Sequence, residues 1–320
     1  MKKTLVALAV LAASGASFAQ VTLSGEIAFG YQATSVDGVK KSGFGTDTAA
    51  FRMTVSEDLG GGTKATAFIS AGGAARGGSL GGEDMAITVS GGFGKVMLGT
   101  IEIGSGIRGL ASAGAPVNNM EGEVLSFAAN SDIIKYTAPA MGALTLSASL
   151  TEGTKLSGDP LPDSPYLTAV AGLGEGMEAG EGRAITVGGD YAAGALAAKL
   201  DMSSWTESSK DNRYRIAASY DFGAAKVGAG YEETKYKSGA TGTESMFGIS
   251  APIGGALSVG AAFTRNDLST AAKVREGFTY GLSYALSKRT TWNMNVTSYD
   301  ATAASTEKST KTWMALDHTF

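Results

Sequence analysis

From Gln20 onward the chain alternates between apolar and polar side chains with a period of two. Val21, Leu23, Ile27, Phe29 and Tyr31 share one parity, and Thr22, Ser24, Glu26 and Gln32 share the other. Successive side chains of a strand point to opposite faces, so each such segment carries one apolar and one polar face. Sixteen segments of this kind follow one another: 21–32, 48–57, 63–71, 83–90, 95–101, 132–138, 142–150, 183–191, 195–202, 212–222, 225–233, 244–252, 256–264, 275–286, 290–299 and 310–320. Each is about ten residues long, the length a tilted strand needs to cross a bilayer.

The connections are as informative as the strands. Long stretches (34–47, 72–82, 102–131, 151–182, 203–211, 234–243, 265–274 and 300–309) alternate with short turns such as Asp58 to Gly62, Gly91 to Gly94, Gly223-Ala224 and Ser287 to Arg289. Long loops on one rim and short turns on the other predict an all-β, sixteen-stranded antiparallel transmembrane β-barrel, with the short turns periplasmic and the long loops extracellular. An even strand number places both termini on the short-turn rim. The last segment ends at Phe320, with Met314, Leu316 and His318 on the same parity. No chain follows to cover the edge of that strand, so it must pair with the first. That closure makes residues 20–320 a single domain.

Residues 1–19 are laid out as a cleaved secretory signal. Lys2 and Lys3 form a basic start, Leu5 to Ala13 an apolar run, and Ser17-Phe18-Ala19 a small-residue cleavage site. The apolar run is shorter than the roughly 20 residues of a spanning helix. With the strand pattern, this predicts export to the outer membrane of a Gram-negative bacterium. The alternative of a soluble secreted β-protein, such as an adhesin, gives no reason for loop lengths to segregate.

Composition removes other classes. There is no cysteine and a single histidine, His318, in 320 residues, so neither a thiolate metal site nor the usual catalytic triads can be built. No enzyme activity, metal or cofactor is expected. The net charge of −4 becomes −6 once Lys2 and Lys3 leave with the signal, which argues against nucleic acid. Forty-six glycines suit tight turns and close backbone approach. The cluster Gly172, Gly174, Gly176, Gly180 and Gly182 lacks the strand-then-helix setting of a phosphate loop and reads as surface loop.

Several runs resemble the general diffusion porins of Gram-negative bacteria. Glu57-Asp58-Leu59-Gly60-Gly61-Gly62-Thr63-Lys64-Ala65 is similar to their first periplasmic turn, and Ser90 to Gly99 (SGGFGKVMLG) to their second turn and fifth strand. Asn130 to Pro139 (NSDIIKYTAP) resembles the strand after their constriction loop, and Leu286 to Thr290 and Leu316 to Phe320 also match. The resemblance implies a trimeric barrel whose third long loop folds into the lumen. Two positions depart from the family: Thr100 stands where an Arg is common, and Asp317 precedes the final His in place of a basic residue.

The implied function is passive diffusion of small hydrophilic solutes and ions, with a substrate-specific channel of the same fold as the alternative. Parity places Arg52, Lys64, Lys95, Lys135, Lys199, Arg213, Arg215 and Lys226 on the wet face. A charge facing lipid at mid-membrane costs about 2–4 kcal/mol, so these must point inward. The third loop starts at Glu102 and carries Arg108, Glu121 and Glu123, with Asp132 just beyond it. Folded inward, its acids would face Arg52, Lys135, Arg213 and Arg215 across the narrowest point, giving weak selectivity tilted towards cations by the missing Arg. The expected partners are outer-membrane lipid and lipopolysaccharide, and two further copies of the chain. The small residues Ala65, Ala67 and Ala71, and Ala193, Gly194, Ala195 and Ala197, would allow flat walls to approach. Phe320 is expected to act in assembly.

Overall fold

The computed structural model describes residues 20–36, 38–74, 78–117, 120–126, 129–152, 182–206, 208–268, 274–300 and 308–320. The proposed signal (1–19), most of the loop between the seventh and eighth segments, and four of the five clustered glycines lie outside the described residues. β1 (Gln20–Val36) pairs with β2 (Val39–Gly60), and β3 (Thr63–Gly72), β4 (Gly81–Gly91) and β5 (Gly94–Ile103) follow as a meander. A one-turn helix, α1 (Arg108–Ala111), lies in the third long connection before β6 (Ala129–Thr137) and β7 (Leu144–Glu152). The wall continues through β8 (Arg183–Ala193), β9 (Leu196–Thr206), β10 (Lys210–Asp221), β11 (Lys226–Tyr236) and β12 (Thr241–Ile253). β13 (Leu257–Leu268), β14 (Arg275–Ala285), β15 (Thr290–Asp300) and β16 (Lys308–Thr319) complete it.

Every strand is antiparallel to its neighbour, and β16 returns to β1 in a register from Glu26↔Thr319 to Ser35↔Thr310. The sheet is therefore a closed sixteen-stranded barrel, which satisfies the backbone groups in lipid without leaving an edge. Its apolar parity faces out: Leu23, Ile87, Ile134, Ile185, Leu200 and Ile216 are all more than half exposed. An apolar surface this continuous is incompatible with water and fits a bilayer. Near the short-turn ends the same face carries Tyr136, Tyr191, Tyr220, Tyr284 and Trp292, all exposed, as an interfacial girdle. The Tyr136 hydroxyl reaches down to donate to the Phe93 carbonyl at 2.7 Å.

Several expected long loops are ladder instead. β1 and β2 stay paired up to Val36↔Val39, so 34–47 is the top of a long hairpin. β9 runs to Thr206 and β10 restarts at Lys210, while β11 runs to Tyr236 and β12 starts at Thr241. Above the membrane both faces meet water, so alternation is lost, while backbone pairing continues because it does not depend on side-chain polarity.

The larger of the two buried apolar clusters among the described residues lies inside the barrel, between the third connection and the wall. Ile107, Ala111 and Leu125 pack with Ala217, Met246 and Ala262. Ile107, Met120, Val124 and Leu125 are fully buried, and burial of such side chains is worth about 1.5–3 kcal/mol each at most.

Candidate constriction site

The third connection, described over residues 104–117 and 120–126, leaves β5 and crosses to the opposite inner wall. The helix α1 touches β9, β10, β11 and β12. The wall is cut to receive it by glycines on the inward parity. A Cβ at Gly230 would lie 2.7 Å from the Ile107 Cβ, one at Gly248 would lie 2.5 Å from the Ala111 carbonyl oxygen, and one at Gly260 would lie 2.5 Å from the Ala115 Cβ. Gly228, Gly277 and Gly281 meet Leu110, Met120 and Pro116 in the same way. Glycine within a strand marks close approach of another backbone, and here six of them trace the loop's path.

Polar anchors hold the loop down. Glu244 accepts from the Ser126 N–H at 2.7 Å, the Ser126 hydroxyl at 2.6 Å and Asn266 Nδ2 at 2.6 Å. Arg275 donates to the carbonyls of Glu123 (3.1 Å) and Val124 (2.8 Å). The Ser250 hydroxyl donates to the Ala113 carbonyl at 2.6 Å. Strand parity marks Glu244 and Arg275 as inward, but their partners on the loop lie more than a hundred residues away, and no local pattern points to them.

On the lumen side of the loop, Arg108 pairs with Glu121, which also accepts from the Ser105 N–H at 3.3 Å. Glu123 meets Lys311 of β16 at 3.5 Å. On the facing wall, Arg52 lies 3.5 Å from Asp84 Oδ2 with its guanidinium 4.1 Å over the Phe68 ring. Glu102, next to the end of β5 and on the outward strand parity of Thr100, has its N–H donating to Asp84 Oδ1 at 2.7 Å, and Arg108 is near enough to act on its carboxylate electrostatically. Lys135 points inward on β6 within electrostatic reach of Lys199 and Asp190. These residues do gather around the space between loop and wall.

Three expected members do not. Arg213 and Arg215 point inward but are 7% and 6% exposed, sealed under the loop. Arg215 Nε donates to Glu232 at 2.7 Å and its Nη1 lies 3.6 Å from Asp201, Arg213 lies 3.9 Å from Glu232, and Gly106 sits against the Arg215 guanidinium. They neutralise buried acids and are covered by the loop that they were expected to face. Asp132 is on the outward parity with Ile134 and Tyr136 and accepts from the Thr100 hydroxyl at 2.5 Å. Thr100 therefore also faces out, and its replacement of an Arg takes no charge from the lumen. Asp317, by contrast, is a lumen-facing acid, held by Asn293.

The family model described as Gram-negative porin matches residues 4–304. The chain belongs to the Gram-negative porins. Among curated proteins it is 29% identical to outer membrane porin protein 32 of Delftia acidovorans, over 91% of this chain and 87% of that protein. Among solved structures, an anion-selective porin from Comamonas acidovorans superposes with a TM-score of 0.69 at 22% identity, over 95% of this chain and all of that one. A mutant porin of Rh. blastica superposes at 0.65 with 14% identity, covering 94% and 100%. The likeness to these structures is one of fold. As a porin the chain is an outer-membrane channel for passive diffusion of small hydrophilic solutes, and the soluble adhesin reading is set aside.

Proposed function

We propose that the diffusion path is narrowed by the third loop and is weakly selective between ions. The observation that carries this is charge cancellation. Arg52 with Asp84, Arg108 with Glu121 and Lys311 with Glu123 are ion pairs around the loop, so little net charge is left there to sort ions. Arg213 and Arg215 contribute nothing to passing solutes, because they are buried and paired.

Replacing Glu121 and Glu123 together by Gln uncovers Arg108 and Lys311. One unit charge about 4 Å from an ion is worth about 1 kcal/mol in water, or roughly a fivefold bias. The reversal potential in a KCl gradient is expected to move towards anions by about that permeability ratio. An unchanged reversal potential would place the constriction elsewhere.

The porin is further proposed to be a homotrimer, exported with residues 1–19 removed. The outward Ala65 and Ala67 of β3 let a neighbouring wall approach closely; Ala197, paired with the buried Ser219, faces the lumen and takes no part. Native mass measurement from mild detergent is expected to give three copies, each beginning at Gln20; a monomer, or a retained leader, would overturn the respective claim. At the long-loop rim the outer face carries Arg183 with Glu152 (2.9 Å) and Arg265 with Glu276 (2.8 Å), a charged belt suited to lipopolysaccharide headgroups.

A further inference from the structure

Most aromatic side chains of the strands face lipid, but Trp313 of β16 faces the lumen. It is half-buried, and its direct cross-strand partners are Asn295 on β15 and Gln32 on β1. Gln32 in turn pairs with Gly43 on β2. One level towards the short turns, Ala315, Gly30 and Gly45 are aligned in the same manner. Nothing lies within 4 Å of where a Cβ would stand at Gly43 or Gly45. The inner face of β16, β1 and β2 therefore forms an open floor of small residues with an indole on one side. A cavity of about 360 Å³ occupies it, lined by Trp313, Gln32, Thr34, Lys41 and Asp47 among others.

Asp47 reaches this cavity through a fault in the ladder. Thr46 pairs with Phe29 and Thr48 with Ala28, leaving Asp47 as an extra residue without a partner on β1. Such bulges re-aim a side chain. On the opposite side, Lys41 and Lys311 flank Thr34 in one row, and Lys311 is the residue that meets Glu123 of the third loop. The shelf thus lies one row of inward side chains from the proposed constriction.

We infer that this shelf is a subsite for a short neutral oligosaccharide, one ring of which stacks its C–H face on Trp313 and hydrogen-bonds to Gln32, Thr34 and Lys41, while a neighbouring ring reaches Asp47, five to six residues further along the strands. The choice of ligand follows from the polar groups. Thr34 and Gln32 each give and accept hydrogen bonds, Lys41 only gives, and Asp47 only accepts. A planar organic acid would meet the Asp47 carboxylate, and a planar cation would meet the Lys41 ammonium. A short polyhydroxylated chain without charge matches all four groups, and the apolar face of one of its rings matches the indole, as pockets with few placed polar groups require. This inference rests on the diffusion-channel reading and names a solute class within it.

The test is ion current through the purified full chain in planar bilayers, with maltotriose as the probe. Wild type is expected to show normal KCl conductance that falls saturably with maltotriose. Trp313→Ala is expected to raise the half-blocking concentration about tenfold or more, and Trp313→Phe by less, since stacking is partly kept. If the alanine variant does not assemble, a chain with Trp205→Phe and Trp292→Phe leaves Trp313 as the sole indole, and its emission is expected to shift with maltotriose. Normal conductance with no response to the sugar would overturn the subsite and leave the channel standing. So would equal block in Trp313→Ala, an unmoved emission, or stronger block by benzoate or benzylammonium than by maltotriose. Absence of KCl conductance in wild type would refute the channel itself.

Discussion

Deleting Phe320 is expected to leave the chain unfolded in the periplasm, with little or no barrel reaching the outer membrane. The terminal residue completes closure: its N–H donates to the Gly25 carbonyl and its carbonyl accepts from the Gly25 N–H, both at 3.0 Å. Its ring lies in contact with the space that a Cβ on Gly25 would fill. The two hydrogen bonds are worth only about 1 kcal/mol each, so the effect does not come from stability alone. They start the β1–β16 ladder, and an unclosed ladder exposes two strand edges in lipid. Gly25→Val offers a milder version, in which the new side chain displaces the ring at a cost of about 1–3 kcal/mol. The measurement is the amount of heat-modifiable barrel in outer-membrane fractions. Wild-type amounts after deletion would remove Phe320 from assembly.

Releasing the third loop from its wall should have the second-largest effect. Glu244→Ala strands the Ser126 N–H and Asn266, and breaking a buried charged network of this kind costs about 3–5 kcal/mol. Gly248→Leu acts by a different route, driving a side chain into the backbone at Ala111 and Ser112. Both substitutions are expected to raise single-channel conductance, admit larger neutral solutes and make the current noisier, because the loop then samples the lumen. The barrel itself should persist, since its ladder does not involve the loop. Conductance and size cut-off unchanged in both variants would mean that the loop does not limit the path.

What strand parity makes legible in the sequence is the direction of a side chain. Arg52 and Lys135 point into the lumen because their neighbours on either side are apolar and must meet lipid. Glu121 and Glu123 lie at the loop face because the loop enters the barrel. Arg213 and Arg215 have the same parity as Arg52, and nothing local separates them from it. What separates them is Gly106 and its neighbours lying on top of one set and not the other. Asp132 adjoins the loop in sequence, yet its side chain follows the outward parity of Ile134 and Tyr136 and so stays out of the lumen.

Strand number, the meander topology and the sorting of side chains between lipid and water were determined by the sequence itself. They follow from a period of two and from turn residues, and both act between near neighbours along the chain. Which inward residues meet solutes was decided only in the tertiary structure. The third loop reaches its anchors at Glu244 and Arg275 across more than a hundred residues, and the glycines that admit it are spread over four strands. The indole of Trp313 likewise acquires its glycine floor only when the last strand closes on the first. Alternation can say that a side chain faces inward. It cannot say what comes to cover it, because covering is set by the shape of two surfaces that are remote in sequence.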